Sequence, residues 1–197
     1  MIAAVPFMKG GRAFGRALPN ALLIGLCVIG LAFVARGALV PAKAWIAQIL
    51  LDRAFDQSLS QHRAIKPWFW ADMAPVARIS LPRLGVREIA LSSGSGQAMA
   101  FGPTLMPVRN PHVSIMAAHR DTHFAFMKQA RKGDVVEVQA VDGRTQRYRI
   151  TGFQIMRWDR FAYPRDPARP VLALTTCYPL GVIGHGPLRL VAWAEAE

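Results

Sequence analysis

Acidic residues are scarce in this chain. There are 12 Asp and Glu against 24 Lys and Arg, a formal net charge of +12, and no acidic residue precedes Asp52. The cations are mostly arginines set singly among apolar residues. The chain carries no basic run and no nucleic-acid motif, which argues against a nucleic-acid partner and for attraction to an anionic membrane surface or envelope. Cysteine is nearly absent, with Cys27 and Cys177 alone, so a disulfide-framed domain is excluded. Cys27 lies in an apolar run and reads as a small hydrophobe facing lipid. Pairing it with Cys177 would need contact across a membrane boundary, so Cys177 is expected as a free thiol. A lone thiol outside the cytoplasm risks oxidation, and its retention points to a task. No internal repeat and no compositionally disordered tract is present.

What the chain has in quantity is apolar surface: 52% of its residues are hydrophobic and its mean hydropathy is +0.22. Residues 17–35, ALPNALLIGLCVIGLAFVA, carry no charge. As a helix they reach roughly 28 Å, about one bilayer core. Lys9, Arg12 and Arg16 precede the run and favour an inside N-terminus, although Arg36 and Lys43 follow it. Ala42-Lys43-Ala44 loosely fits a signal-peptidase site, but it lies far beyond a run that is long for a signal peptide, so an uncleaved anchor is the favoured reading. The expected organisation is a cytoplasmic N-terminus over 1–16, a transmembrane anchor over 17–40, an amphipathic helix and connector over 41–74, and a folded domain over 75–197. Within 43–62, Leu51, Phe55 and Leu59 recur every four residues, and Pro67 is expected to end the helix. The connector WFWADMAPVA is read as tryptophans that cover the domain or touch the membrane interface.

From Val76 the texture becomes strand and turn. Val76–Leu81 and Val86–Leu91 flank the turn Pro82–Gly85. Val113–Ala117 is a compact apolar strand, and Asp134–Ala140 and Thr145–Ile150 straddle the hairpin signal Asp142-Gly143. Val171–Thr175 and Leu188–Ala194 complete the set, and Thr122–Ala130 reads as a short helix. This is an all-β barrel or sandwich of about 120 residues.

Three residues near strand ends carry usable chemistry. His119 follows Val113–Ala117, Cys177 follows Val171–Thr175, and Arg189 opens the last strand. A barrel can bring them together at one rim. A thiolate is a nucleophile, an imidazole holds and returns a proton, and a guanidinium stabilises a tetrahedral oxyanion or grips a peptide backbone. The set suits acyl transfer through a thioester. Each alone has a plainer reading, as a core thiol, a structural histidine or a surface cation.

Taken together these segments resemble the sortases, membrane-anchored cysteine transpeptidases. Their nucleophile strand ends TLxTC; here it reads Ala173-Leu174-Thr175-Thr176-Cys177, with Ala173 in place of the first threonine. The family arginine lies about a dozen residues on, as Arg189 does, and the family histidine sits between a strand and a short helix, as His119 does. The resemblance covers about residues 75–195. HRDTHF, TTCYP and KPWFWAD are similar to the proteobacterial, Gram-negative subgroup. The resemblance implies a closed eight-stranded β-barrel with short helices behind an N-terminal transmembrane helix, with the site at one end of the barrel. It implies cleavage of an LPxTG-like sorting signal on a protein substrate and transfer to an amine acceptor. The enzyme would be a single-pass inner-membrane protein facing the periplasm, without metal or other cofactor. Cys177 would be nucleophile, His119 general acid/base and Arg189 the oxyanion or substrate clamp.

Thr176, Tyr178 and His185 are assigned to substrate binding. Thr176 would act through its backbone or be simply a β-branched strand residue; His185 would line a groove or be an exposed loop histidine. Asp121 reads as a helix cap or, less favoured, as a partner that orients His119, and His123 as structural. The Arg-, Pro- and aromatic-rich stretch 157–170 is expected to select substrate. A cysteine peptidase of envelope peptides and a non-catalytic anchored β-domain are the competing functions.

Overall fold

The computed structural model describes residues 14–197 apart from 94, 183 and 185. The chain divides into two units, Met1–Trp45 and Ile46–Glu197. One α-helix, α1 (Phe14–Gln61), begins in the first and ends in the second. Its stretch from Asn20 is long and apolar enough to cross a membrane by length and composition. Leu22, Leu26, Leu31 and Phe33 are exposed along it.

The last turns of α1 belong to the folded unit. Leu51 and Phe55 are fully buried against Ala71, Met73, Ile89, Leu91 and Ala98, and Leu59 packs on the same cluster. The four-residue spacing therefore marks a real apolar face. Arg78 fixes this face electrostatically: its guanidinium lies 4.2 Å from the centre of the Phe55 ring and 2.8 Å from the Asp56 carboxylate. The helix ends at Gln61, earlier than Pro67. His62 takes a left-handed φ of 51°, and the Ser58 hydroxyl caps the turn by accepting from the Ile65 N–H at 2.9 Å. Of the connector aromatics, Trp68 packs edge-on against Phe101, while Phe69 and Trp70 are exposed.

Eight strands follow: β1 (Pro75–Leu81), β2 (Val86–Leu91), β3 (Thr104–Met106), β4 (Val113–Ala117), β5 (Val135–Ala140), β6 (Thr145–Arg157), β7 (Val171–Tyr178) and β8 (Leu188–Ala196). They close into a barrel in the order β1-β2-β3-β4-β7-β8-β6-β5. The interior is filled by alternate residues of nearly every strand, including Ile79, Leu81, Met116, Val136, Ile150, Leu172 and Leu174, with Phe124 plugging it from the loop after β4. Closure pairs each strand with two neighbours, although β2 and β3 meet at one position, Leu91 and Thr104.

Four local outcomes differ from the sequence reading. β3 is only three residues, between Pro103 and Pro107, too short for a periodic signal. β6 does not stop at Ile150; a register shift between Ile150 and Gly152 absorbs Thr151 as a bulge, and pairing with β8 runs on to Arg157. The stretch 122–130 is a turn with a 3₁₀ segment at Ala125–Lys128, not an α-helix, because Phe126 and Met127 are drawn into the core. β7 continues past Thr175 to Tyr178, since β8 supplies Leu190, Arg189 and Leu188 as partners for Thr176, Cys177 and Tyr178. The Asp142-Gly143 hairpin is as expected, with Gly143 at φ 89°.

Asp134, 7% exposed, caps the turn before β5. Its carboxylate accepts from both Arg83 Nε and Nη2 and from the Arg131 N–H, the last two at 2.7 Å. The hydrogen bond from Arg83, against the opposing effect of burial, holds its pKa below the ordinary carboxylate value. Asp134→Asn should lower unfolding stability at pH 7 by about 1–3 kcal/mol. The folded pKa is depressed, so this contribution is full above the unfolded value of about 4 and is lost as pH falls through the folded one. Unfolding of both proteins at neutral pH and near pH ~2 tests this: the gap should close in acid.

Candidate active site

The site is set by β7. Its sequence, VLALTTCY, is aliphatic and β-branched, and residues 171–176 are all buried. Such a strand belongs in the middle of a sheet, with both faces covered. It runs parallel to β4 and antiparallel to β8. Because side chains alternate, Leu172 and Leu174 enter the barrel interior. Ala173 joins Val113, Ile115 and Val191 in a second cluster on the outer face, covered by Phe161, Tyr163 and Trp193. Thr175 and Cys177 share that outer face with Ala173.

Parallel pairing brings the ends of β4 and β7 to one edge. Ala117 lies beside Thr175, and the Ala118 N–H donates to the Thr175 carbonyl at 3.2 Å. His119 is the next residue. On the other side, the β7–β8 register sets Cys177 directly opposite Arg189, a relation that holds Cβ atoms about 5 Å apart. His119, Cys177 and Arg189 all line one cavity of about 760 Å³. Its walls are otherwise largely apolar: Met106, Val108, Ile115, Trp158, Phe161 and Tyr163. The cavity lies at one end of the barrel but on its outer face. Apolar walls with a few convergent polar groups suit an extended peptide whose side chains are buried while its backbone is gripped.

Cys177 is half-buried and is a free thiol, as is Cys27. Arg189 Nη1 donates to the carbonyls of Gly186 and Leu188, each at 2.8 Å. The guanidinium is thus held at the cavity edge, and its Nε and Nη2 bond to no described residue. Among the described residues no cluster of three or more His, Cys, Asp or Glu forms a metal site.

The other sequence assignments separate. The Thr176 hydroxyl donates to the Ala118 carbonyl at 2.8 Å and is buried, so it is not available to a substrate. Tyr178 packs against the barrel interior rather than lining the cavity. His185 lies outside the described residues. Asp121 neither caps the following turn nor bonds His119: its carboxylate pairs with Arg120 at 2.8 Å and Lys128 at 3.7 Å. These two cations, Arg120 foremost through its hydrogen bond, lower its pKa against the opposing effect of burial. His123 is structural, with Nδ1 at 2.8 Å from Glu88. Burial disfavours its charged form, but the hydrogen bond and charge of Glu88 outweigh this and raise its pKa.

Two cavity residues escaped the sequence reading. Arg120, 8% exposed, looked like one more scattered cation. Thr175 lies two residues before Cys177, so strand periodicity alone could have put both on one face. Its Oγ1 is buried and has no hydrogen-bond partner among the described residues.

Comparison with known proteins agrees with this architecture. A sortase domain model matches residues 79–197. No curated protein matches the chain. Among solved structures it is similar to sortase C-1 from Actinomyces oris, at 26% identity and TM-score 0.52, covering 62% of this chain and 74% of that one. The pilus-related sortase C of Group B Streptococcus shares 21% identity at TM-score 0.54, over 62% of this chain and 67% of that one. Sortase C of Streptococcus pneumoniae shares 17% at TM-score 0.55, over 62% and 68%. The barrel is therefore that of a cysteine-dependent acyl-transfer enzyme. The chain belongs to the sortase family of cysteine transpeptidases.

The adjacent threonines give opposite expectations. Thr176→Val breaks a buried hydrogen bond and strands the Ala118 carbonyl, which should cost about 1–3 kcal/mol. Thr175→Val removes an unpaired hydroxyl at nearly constant shape and should leave stability unchanged or raised by about 1 kcal/mol. Thermal unfolding of the two variants side by side checks the assignment.

Proposed function

We propose that this chain is a single-pass, membrane-anchored transpeptidase of a Gram-negative envelope, with its barrel in the periplasm, acting on a protein that bears an LPxTG-like sorting signal. The observation that carries the reading is the β7 register, which pairs Cys177 with Arg189 and sets Thr175 beside the strand that leads to His119. The apolar stretch of α1 and the arginines around it support the anchor and its orientation.

In the reaction, the Cys177 thiol gives its proton to His119 and its sulfur attacks the scissile carbonyl carbon. The C–N bond breaks, the leaving amine takes a proton from His119, and the peptide is held as a thioester. An incoming amine then attacks the thioester carbonyl, gives its proton to His119, and releases the Cys177 sulfur. Arg189 faces the tetrahedral oxygen or the substrate backbone with the donors its loop contacts leave free. Thr176 contributes through its backbone. Tyr178 serves the substrate indirectly, by packing on the barrel interior next to the nucleophile in sequence, and His185 is assigned to the substrate from its place in the loop after Cys177. The loop 157–170 contributes Trp158, Phe161 and Tyr163 to the cavity wall and is the element that reads the signal.

A peptidase with the same three residues would differ only in what resolves the thioester. Apolar cavity walls limit water, which favours an amine that is bound and oriented. Turnover of an LPxTG-like peptide with and without excess amine separates the two. The expected result is an aminolysed product that rises with amine at the expense of the hydrolysed one; hydrolysis insensitive to amine would make the enzyme a peptidase. Cys177→Ala should abolish turnover. His119→Ala should lower kcat by about 10²–10⁴, and Arg189→Ala by about 10². Replacing 157–170 by a Gly/Ser linker should change which peptides in a signal library are cleaved. An unchanged preference would remove this loop from the account.

A further inference from the structure

Arg120 follows His119 in the chain, yet its guanidinium is spent on the other side of the site. Nη1 donates to the Pro179 carbonyl at 2.7 Å, two residues after Cys177 and 59 positions away in sequence. Its Nε and Nη2 hold the Asp121 carboxylate at 2.9 and 2.8 Å. One planar group therefore joins the turn that carries His119 to the turn that follows Cys177. A guanidinium suits this because its donors lie in a fixed fork.

The location is costly. Arg120 is 8% exposed, and a buried cation must be paired to be tolerated. Its pairing is partial: Asp121 is 55% exposed and is shared with Lys128. Two cations thus meet one half-solvated carboxylate, and positive charge is left over on the wall that Arg120 shares with Cys177. Arg120 holds its proton more tightly than usual. The hydrogen bond to Asp121 is the main cause; burial opposes it, and the charges of Asp121 and of an ionised Cys177 add to it.

We propose that Arg120 is a positioning residue: it locks the His119 and Cys177 turns together through the Pro179 carbonyl and keeps a fixed positive charge beside the nucleophile. The role rests on Cys177 as nucleophile. Loss of the lock should lower kcat and leave KM nearly unchanged, because the apolar residues that hold the peptide, Ile115, Phe161 and Tyr163 among them, are untouched. Loss of the charge should change how Cys177 selects between anionic and neutral reagents. That ratio is independent of how much thiolate is present, since both reagents meet the same thiolate.

The test uses the full chain in detergent with Arg120→Gln, Arg120→Lys and Asp121→Asn. Alkylation of Cys177 by iodoacetate and by iodoacetamide is followed by peptide mass spectrometry, which separates it from Cys27. Peptide turnover is measured in parallel. Arg120→Gln should lower the iodoacetate-to-iodoacetamide rate ratio about threefold to tenfold, as expected for removal of one nearby charge, and kcat by at least about tenfold. Arg120→Lys keeps the charge but not the two-ended hold, so the ratio should stay near wild type while kcat falls. Asp121→Asn removes a negative charge from the same wall, so the ratio should rise, while kcat falls about severalfold. A wild-type ratio in Arg120→Gln would overturn the electrostatic half, and wild-type kcat in both Arg120 variants would overturn the lock. Should Arg120→Gln fail to fold, Arg120→Lys and Asp121→Asn still decide the lock, and Arg120→Met decides the charge. If the wild-type chain forms no thioester at Cys177, the nucleophile reading fails, and the reagent ratio still decides whether Arg120 charges the cavity.

Discussion

The site depends on the register of one strand. β7 is held between β4 and β8 with both faces buried, and its side chains alternate between the barrel interior and the outer cavity. A slip of one residue would send Cys177 into the interior and bring Leu174 out. The register is fixed from both sides. Leu172 and Leu174 fill the core, Ala173 is small enough to sit beneath Phe161 and Tyr163, and Thr176 is tied to the Ala118 carbonyl. The same bond that makes Thr176 a poor substrate donor makes it a good register pin. Parallel pairing with β4 then delivers His119, and antiparallel pairing with β8 delivers Arg189.

Charge is arranged on top of that scaffold. The excess of cations, +12 over the chain, takes a specific form at the site, where Arg120 and Lys128 share a single carboxylate, Asp121, and Arg189 lines the same cavity as Arg120. Reactions that build negative charge on sulfur and on a carbonyl oxygen gain from such a field most where water is kept away. The walls formed by Ile115, Phe161 and Tyr163 are apolar and offer water few partners. An apolar cavity and a cationic rim thus serve one purpose, and neither would suffice alone.

How far the sequence announced this follows from the physics of each element. The barrel was legible because its strands alternate or run apolar and are bounded by turn residues, and because Asp142-Gly143 has little choice but a hairpin. His119, Cys177 and Arg189 were legible as residue types at strand ends, and the cavity unites them. What was hidden depends on tertiary pairing. Pro179 sets a local stop after Tyr178, but it is pairing with β8 that carries β7 beyond Thr175 to that stop. The strand expected to stop at Ile150 instead passes through a bulge at Thr151, because β8 continues beside it. β3 exists only because β2 and β4 flank it. Asp121 had two sensible local partners, a helix terminus and His119, and took neither, since Arg120 and Lys128 offered a stronger one. Arg120 itself carried no signal, because its partner carbonyl at Pro179 is adjacent only after folding.

The central claim is that Cys177, in this cavity, accepts an acyl group from a peptide. It is tested most directly by incubating the full chain in detergent with an LPxTG-like peptide and no amine, quenching in acid, and reading intact and peptide mass spectra. The account predicts an added mass equal to the N-terminal fragment of the cleaved peptide, carried by Cys177 and removed by hydroxylamine. An unmodified Cys177 after the peptide has been cleaved, or an adduct carried by any other residue, would contradict it.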